Sequence, residues 1–332
     1  LPIETKEIRT YAQSLFELSR INPMEKPDLL APTLFHEPWF LDLASGGEAQ
    51  MVEESENGQT VARLPFVVRS TLGIRRLVAP ALAHFLGPAV VEGDGSPNTR
   101  FLKRVELTRA LIAKLPKAAH CRFKCHRGVT DVIPFQMEGF QTSVQFTHEI
   151  PPQNPDDVWV AMRSPRRTII RGAEKECEVS LLADPTEFMD FYNRNLSARD
   201  RASILDTKIC IDTIDACLQR KRGAIYAAHQ KGVLTAAIFC AWDATAAYYL
   251  LTTRDPSSHS GAISLLTFRA IKDAMAKGLT FDLDGLSDEG GVAFFAGFGG
   301  SIAPRYIVSR SVAPFRLYQS LRSFAVRENP YA

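Results

Sequence analysis

The sequence predicts an α/β protein, more finely α+β: two tandem copies of one domain, each a mixed, mainly antiparallel sheet flanked by helices. Three observations carry this. Residues 224–310 run strand, turn, strand, turn, strand, long helix, strand, short Gly-Phe segment, strand. The same order recurs with other residues in the first half. Between the halves lies Glu149-Ile-Pro-Pro-Gln-Asn-Pro-Asp-Asp157, whose three prolines cannot continue a strand interior. The expected domains are therefore residues 1–150 and 151–332. The alternative is two unrelated α+β domains that share an order.

In the first half, Ala49–Glu54, a turn at Glu56-Asn57-Gly58 and Val61–Ser70 read as a hairpin, to which Arg75–Pro80 adds a third strand. A helix follows over Asn98–Leu115, with apolar positions at Leu102, Val105, Leu107, Ala110, Leu111 and Leu115. Then come a strand at His120–Cys125, the segment Phe135–Phe140 and a strand at Gln141–Glu149. In the second half, Ala224–His229, Leu234–Trp242 and Ala246–Thr252 form a meander through the turns Gln230-Lys231-Gly232 and Asp243-Ala244-Thr245. A helix runs from Gly261 to Lys277 and Gly278 closes it. Thr280–Asp284 is a strand, Ala293–Gly300 a Gly-Phe segment, and Ser301–Val308 the last strand. Each half thus ends in helix, strand, Gly-Phe, strand, with the pairs Gly139-Phe140 and Gly297-Phe298. Helices are also expected from Asp184 to Asn195, which opens with Pro185 and Glu187, and from Leu205 to Gln219.

Composition narrows the function classes. The 332 residues are 45% hydrophobic and 23% charged, with a net charge of +2, ordinary for a soluble globular protein and unsuited to a general nucleic-acid binder. No run approaches the ~18 apolar residues of a membrane span. Leu1-Pro-Ile-Glu-Thr-Lys lacks the basic and apolar segments of a signal peptide. The six cysteines include no Cys-x-x-Cys pair, so neither a zinc site nor a disulfide framework is expected, and a reducing, cytoplasmic setting fits.

Arg163, Arg167 and Arg171 recur every fourth residue and would form one basic stripe on a helix, with Pro165 in its first turn or marking a restart. Such a stripe either clamps a phosphate or carboxylate at the interdomain cleft or is a solvated face paired with Glu174 and Glu176. On the first reading, Arg167→Ala weakens binding and leaves stability almost unchanged. Ser257-Ser258-His259-Ser260-Gly261-Ala262 opens a helix, and its backbone N–H groups suit an anion. The alternative is a plain loop capped by Ser260. Asp282 and Asp284 share one strand face, and a buried unpaired carboxylate is costly, so one or both should meet a cleft or a donor.

The run Trp159…Arg163…Arg167…Ile170-Arg171-Gly172-Ala173, with Phe188…Phe191-Tyr192, resembles the basic helix of the FemAB-like proteins. Gly261-Ala-Ile-Ser-Leu-Leu…Gly278…Phe281-Asp282-Leu-Asp284-Gly285…Phe298-Gly299-Gly300 is similar to their second GNAT domain. Thr33-Leu-Phe-His36-Glu-Pro-Trp39, Leu64-Pro65 and Phe85-Leu86-Gly87-Pro88 resemble the first. The likeness runs from about Thr33 to Val308. No heptad run marks the helical arm that the Fem peptidyltransferases usually carry, so the chain looks closer to the acetyltransferase-like branch.

The resemblance implies a double-GNAT fold and transfer of an acetyl or aminoacyl group to an amine acceptor in the interdomain cleft. It implies acyl-CoA as co-substrate, with no permanently bound cofactor. Aminoacyl-tRNA is the second donor, against which the near-neutral charge argues. The acceptor is a small molecule or a bacterial cell-envelope precursor, and neither DNA nor a metal is implied. Such proteins place a Gln/Arg-x-x-Gly-x-Gly/Ala loop at the donor phosphates. Here Arg254-Asp-Pro-Ser-Ser-His-Ser-Gly261-Ala262 matches it in part, which assigns Arg254, Ser258, Ser260, Gly261 and Ala262 to the donor. A valine at Gly261 is then expected to block the donor without unfolding the chain. Asp284 is the preferred base, with His259 and Asp282 as alternatives. His36, Trp39 and His84 are candidate acceptor contacts, Trp39 reading more readily as core. A non-catalytic binding protein on the same fold is the competing reading.

Overall fold

In a computed structural model, residues 28–315 are described, except 202, 287, 288 and 314. The N-terminal segment that bears on a signal peptide lies outside them. By its contacts the described chain divides into two compact units, one of Asp28–Gln145 with the residues from Pro304 onward, the other of Phe146–Ala303.

The first unit opens with a 3-10 turn at Leu34–His36 and the helix α1 (Pro38–Ser45). The strands β1 (Ala49–Glu56), β2 (Gln59–Thr71), β3 (Ile74–Val78) and β4 (Ala89–Val90) follow, then α2 (Pro97–Lys114), β5 (His120–Lys124) and α3 (Ile133–Met137). The chain then runs through β6 (Gln141–Ile150), α4 (Pro155–Ala161), α5 (Ser164–Ala173), β7 (Glu178–Leu182), α6 (Pro185–Ser197) and α7 (Thr207–Gln219). The meander β8 (Gly223–Gln230), β9 (Val233–Trp242) and β10 (Ala246–Arg254) leads into α8 (Ala262–Ala276). The last elements are β11 (Thr280–Gly285), α9 (Glu289–Phe295), a 3-10 turn at Ala296–Phe298 and β12 (Ser301–Ser311).

Local chemistry sets the turns. Asn57 and Gly58 take φ values of +51° and +77°, and Lys231 and Gly232 repeat them, as two-residue hairpins of primed type require. At the β9–β10 turn, Asp243 Oδ1 accepts from the N–H groups of Thr245 and Ala246 at 2.7 and 2.9 Å, while Oδ2 accepts from the Tyr248 hydroxyl at 2.5 Å. A buried aspartate is tolerated there because donors surround it.

In the first unit the strand order is β1-β2-β3-β5-β12, with β4 on β2. β12 comes from the far end of the chain to pair antiparallel with β5, Val308 opposite Phe123. Leu107, Leu111 and Ile112 of α2 pack on Leu64, Phe66, Leu77 and Phe123. Leu102, expected on the apolar side, is 64% exposed: the buried stripe passes through Leu107 and Leu111, and Leu102 lies off it.

In the second unit the order is β6-β11-β10-β9-β8-β7. β8, β9 and β10 are antiparallel, and α8 carries the chain over to β11, which runs parallel to β10. β7, where the sequence predicts no element, pairs antiparallel with β8 at the sheet edge. Ten of the fifteen residues of α8 are buried, including Leu265, Leu266 and Ile271, so this helix anchors the core over β8–β10.

Candidate active site

Three departures from regular pairing make room in the second unit. β10 and β11 are in register only over Ala246–Tyr248 and Thr280–Asp282, although β10 continues to Arg254. β10 also bulges against β9, since Tyr249 faces Cys240 and Leu251 faces Phe239, leaving Leu250 as the extra residue. β11 bulges in turn against β6 between Asp282 and Gly285. A gap therefore opens beyond Tyr248, and in it lies a pocket of about 430 Å3.

Four elements line this pocket. β10 contributes Tyr249, Thr252, Thr253 and Arg254; α8 and the residue before its cap contribute Ser260, Ile263 and Ser264. α9 contributes Gly290, Gly291, Phe294 and Phe295, and Arg166 of α5 and Arg199 complete it. Its chemistry is cationic and aromatic. Tyr249 meets Phe295 edge to face with ring centroids 6.2 Å apart, and burial pushes the Tyr249 phenol up, so it is neutral. Asn195 Nδ2 donates to Thr253 Oγ1 at 3.0 Å, fixing the β10 wall to α6. Arg199 donates to the carbonyl of Arg254 at 2.6 Å, and both arginines are exposed.

Arg166 is the most constrained of the three. Its Nη1 donates to Ser264 Oγ at 2.6 Å and its Nη2 to the Phe294 carbonyl at 3.0 Å. The guanidinium carbon lies 4.5 Å from the Phe294 ring centroid and 5.0 Å from that of Phe298. Nε is buried without a hydrogen-bond partner, and a Cβ on Gly297 would come within 2.5 Å of it. Burial pulls the Arg166 pKa below its usual value, though an arginine stays charged throughout the working range.

The residues singled out from sequence are distributed as follows. Arg254 and Ser260 line the pocket. Ser258 is buried beside it in sequence, and the cap of α8 is Gly261 with no side-chain hydrogen bond, so Ser260 does not cap the helix. The ladder of α8 begins at Leu265 N–H to Gly261 carbonyl, 2.9 Å, which leaves the Ile263 and Ser264 amides ahead of it. Ala262 is fully buried and donates its N–H to the His259 carbonyl. At Gly261 a Cβ would meet the Ile169 carbonyl oxygen at 2.6 Å, so a side chain there strikes α5 before it reaches any ligand. His259 accepts from the Gly261 N–H through Nδ1 at 3.0 Å and packs near Gly172. It orders the turn and is not among the lining residues.

Asp282 is 2% exposed and accepts from Thr147 Oγ1 at 2.5 Å and from the Asp284 N–H at 3.0 Å. Asp284 sits in the bulge with φ +64°. Neither lines the pocket. The arginine stripe divides: Arg163 is the residue before α5 and is exposed, because Pro165 falls in the first turn of a helix that starts at Ser164. Arg167 donates to the carbonyls of Trp159 and Val160 at the end of α4, at 3.3 and 3.1 Å. Arg171 lies 5.2 Å from the Trp159 ring centroid. The arginine that reaches the pocket, Arg166, lies off the four-residue repeat, the only signal that periodicity offers for choosing among these arginines.

His36, Trp39 and His84 belong to the first unit. His36 is 4% exposed; its Nδ1 accepts from the Thr33 hydroxyl at 2.7 Å and its Nε2 donates to the Gly87 carbonyl at 3.2 Å. Burial, with His126 edge-on at 5.0 Å, holds its pKa well below 6.5. Trp39 donates to Glu37 at 2.5 Å and packs edge-on to Phe40, and His84 stacks on Phe35 at 5.8 Å.

Residues 162–290 match the family of acetyltransferase (GNAT) domains. That span holds α5, the meander, α8 and β11, and with them the lining residues from Arg166 to Gly290; Gly291, Phe294 and Phe295 of α9 lie beyond it. Over nearly its whole length the chain is similar in structure to FemX, at 13% identity and a TM-score of 0.62, covering 92% of this chain and 97% of that one. It is similar also to the C-terminal domain of a protein assigned as a lysylphosphatidylglycerol synthetase from Agrobacterium fabrum, at 15% identity, TM-score 0.54 and coverage of 95% and 96%. L-PGS from Bacillus licheniformis gives 13%, 0.54, and 90% and 97%. No curated protein matches it by sequence. The chain has a FemAB-like GNAT fold. The matched domain supports an acyltransferase. Among the described residues no helix is long and apolar enough to cross a membrane.

Proposed function

We propose that the chain is an N-acyltransferase that moves an acetyl or other acyl group from a thioester carrier to an amine on a small molecule or cell-envelope precursor. One observation carries the reading: β10 and β11 part beyond Tyr248, and the gap opens on the first turn of α8. A carrier laid along the unpaired length of β10 reaches backbone amides there, and its phosphates meet the N-terminus of α8 with Arg254 and Arg199 beside it. The bulge at Leu250 supplies an amide outside the β9 ladder, a candidate donor to the oxyanion that forms when the amine attacks the acyl carbon. The attack forms the C–N bond, expels the carrier thiolate and leaves a proton on nitrogen. Asp284, near the end of β11 and not itself among the lining residues, is the residue we assign to accept it through one water.

The resemblance to the Fem peptidyltransferases implies a second donor class, aminoacyl-tRNA, against which the near-neutral charge of the chain argues. The test is direct binding and transfer with acetyl-CoA and aminoacyl-tRNA in parallel, using a panel of amines. Acetyl-CoA bound and consumed supports the first reading. Transfer from aminoacyl-tRNA alone replaces it, and failure of both donors refutes transfer. Asp284→Asn keeps a residue that tolerates the left-handed backbone and removes the charge, so an unchanged rate removes Asp284 as the base.

A further inference from the structure

We propose that Arg166 is a specificity-determining residue, and that the group entering the pocket of the second unit carries an oxyanion, a carboxylate or a phosphate. This rests on the transferase reading for its context and refines the substrate class. The first ground is what surrounds the charge. The Arg166 terminal nitrogens donate to neutral acceptors: Ser264 Oγ and the carbonyls of Phe294 and Ala293. Two aromatic rings flank the guanidinium and no carboxylate pairs with it among the described residues. A cation so placed is desolvated without a counter-charge, and an entering anion would provide one.

The second ground is geometry. Gly297 lets the guanidinium seat against the chain in a group that lines the pocket; Nη1, bonded to Ser264 alone, keeps a second N–H, while on Nη2 the bond to the Ala293 carbonyl is long, 3.5 Å, and is the one an anion would displace. A planar fork held by three elements is preorganised for bidentate capture. The Gly297-Phe298 pair, one of the two Gly-Phe pairs of the sequence, thereby acquires a role, since the glycine makes the seat and the phenylalanine flanks the charge. The third ground is selectivity. Described lining residues include three arginines and no Asp, Glu or His, so a cationic side chain such as a lysyl group is repelled.

Calorimetric titration of the intact chain with glutarate, inorganic phosphate, glutaramide and lysinamide tests this. The two anions separate the carboxylate from the phosphate source. Glutaramide matches glutarate in size without charge, and lysinamide carries positive charge. We expect glutarate or phosphate to bind in the millimolar range, and the amide and the cation to bind at least about tenfold more weakly. Arg166→Gln should weaken the bound anion by a similar factor, and Arg166→Lys, which keeps charge but loses the fork, by less. Equal binding of glutaramide, binding of lysinamide, or no anion binding overturns the proposal. The selectivity is read on the unmodified chain, so it does not depend on a variant folding. Anion binding without acyl transfer from any donor would refute the transferase reading and leave this one standing.

Discussion

Gly261→Ala is expected to destabilise the second unit and to weaken its pocket together. The φ of Gly261 is −93°, so alanine meets no backbone strain. Its Cβ would lie 2.6 Å from the Ile169 carbonyl oxygen, 2.8 Å from Ile169 Cγ2 and 3.1 Å from Ala173 Cβ. Ordinary contact begins near 3.4 Å, so α5 and α8 must separate by roughly 3.4 − 2.6 = 0.8 Å. The nearest obstacle is backbone within a helix and cannot swing aside. Overpacking of this kind costs about 1–3 kcal/mol, or on the order of 2–4 °C in Tm per kcal/mol for a domain of this size. The 2.6 Å bond from Arg166 on α5 to Ser264 on α8 spans the same two helices, so separation stretches it and anion affinity falls with stability. Urea unfolding followed by tryptophan fluorescence, with glutarate titration of the folded variant, measures both. A wild-type midpoint for Gly261→Ala would refute the close helix contact, and lost stability with unchanged binding would refute its link to the pocket.

Arg167→Ala should lower stability by about 0.5–1 kcal/mol by uncapping the α4 carbonyls and leave glutarate binding unchanged; the reverse pattern in urea and calorimetry would restore Arg167 as an anion clamp. Gly300→Ala, at φ +89° with a Cβ 2.3 Å from the Glu149 carbonyl oxygen, should be far more damaging than Gly58→Ala, at φ +77° with nothing within 4 Å, and comparable Tm values for the two would contradict this. Burial takes the His126 pKa from 6.5 to about 4, with Nε2 donating to the Pro88 carbonyl and Nδ1 accepting from the Gly128 N–H. Between those values the unfolded chain binds the proton and the folded one does not, so its contribution, about 3 kcal/mol, is present above pH 6.5 and is lost as pH falls towards 4. His126→Gln should flatten that part of the stability–pH curve, which urea midpoints across the range would show.

Much of the fold is legible in the sequence because its signals are local. Asn57-Gly58 and Lys231-Gly232 mark hairpins through backbone angles that glycine and asparagine adopt cheaply. The apolar run that ends at Gly278 spells out α8, whose observed span, Ala262–Ala276, lies inside the expected one. β7 is not legible in this way, because Glu178–Leu182 is a short edge strand with no fully buried position and its pattern is too weak to separate from a loop. The donor loop from Arg254 to Ala262 reads as a unit in sequence, yet the structure divides it: Arg254 and Ser260 line the pocket, while Gly261 serves a helix contact.

The basic helix shows where sequence stops and tertiary structure begins. The sequence alone determined that residues near Arg163–Arg171 form a basic helix with Pro165 in its first turn, since proline geometry and charge spacing are properties of the chain. It also determined the order of strands and helices that makes a GNAT fold. Which arginine reaches the pocket was decided only by packing. Gly297, Phe298, Ser264 and Phe294 come from segments about a hundred residues or more further along, and they seat Arg166. Arg167, its neighbour, turns to the carbonyls of α4. Where β10 and β11 part was likewise a tertiary matter. It depends on two bulges in register, and register is a relation between strands that no single segment encodes.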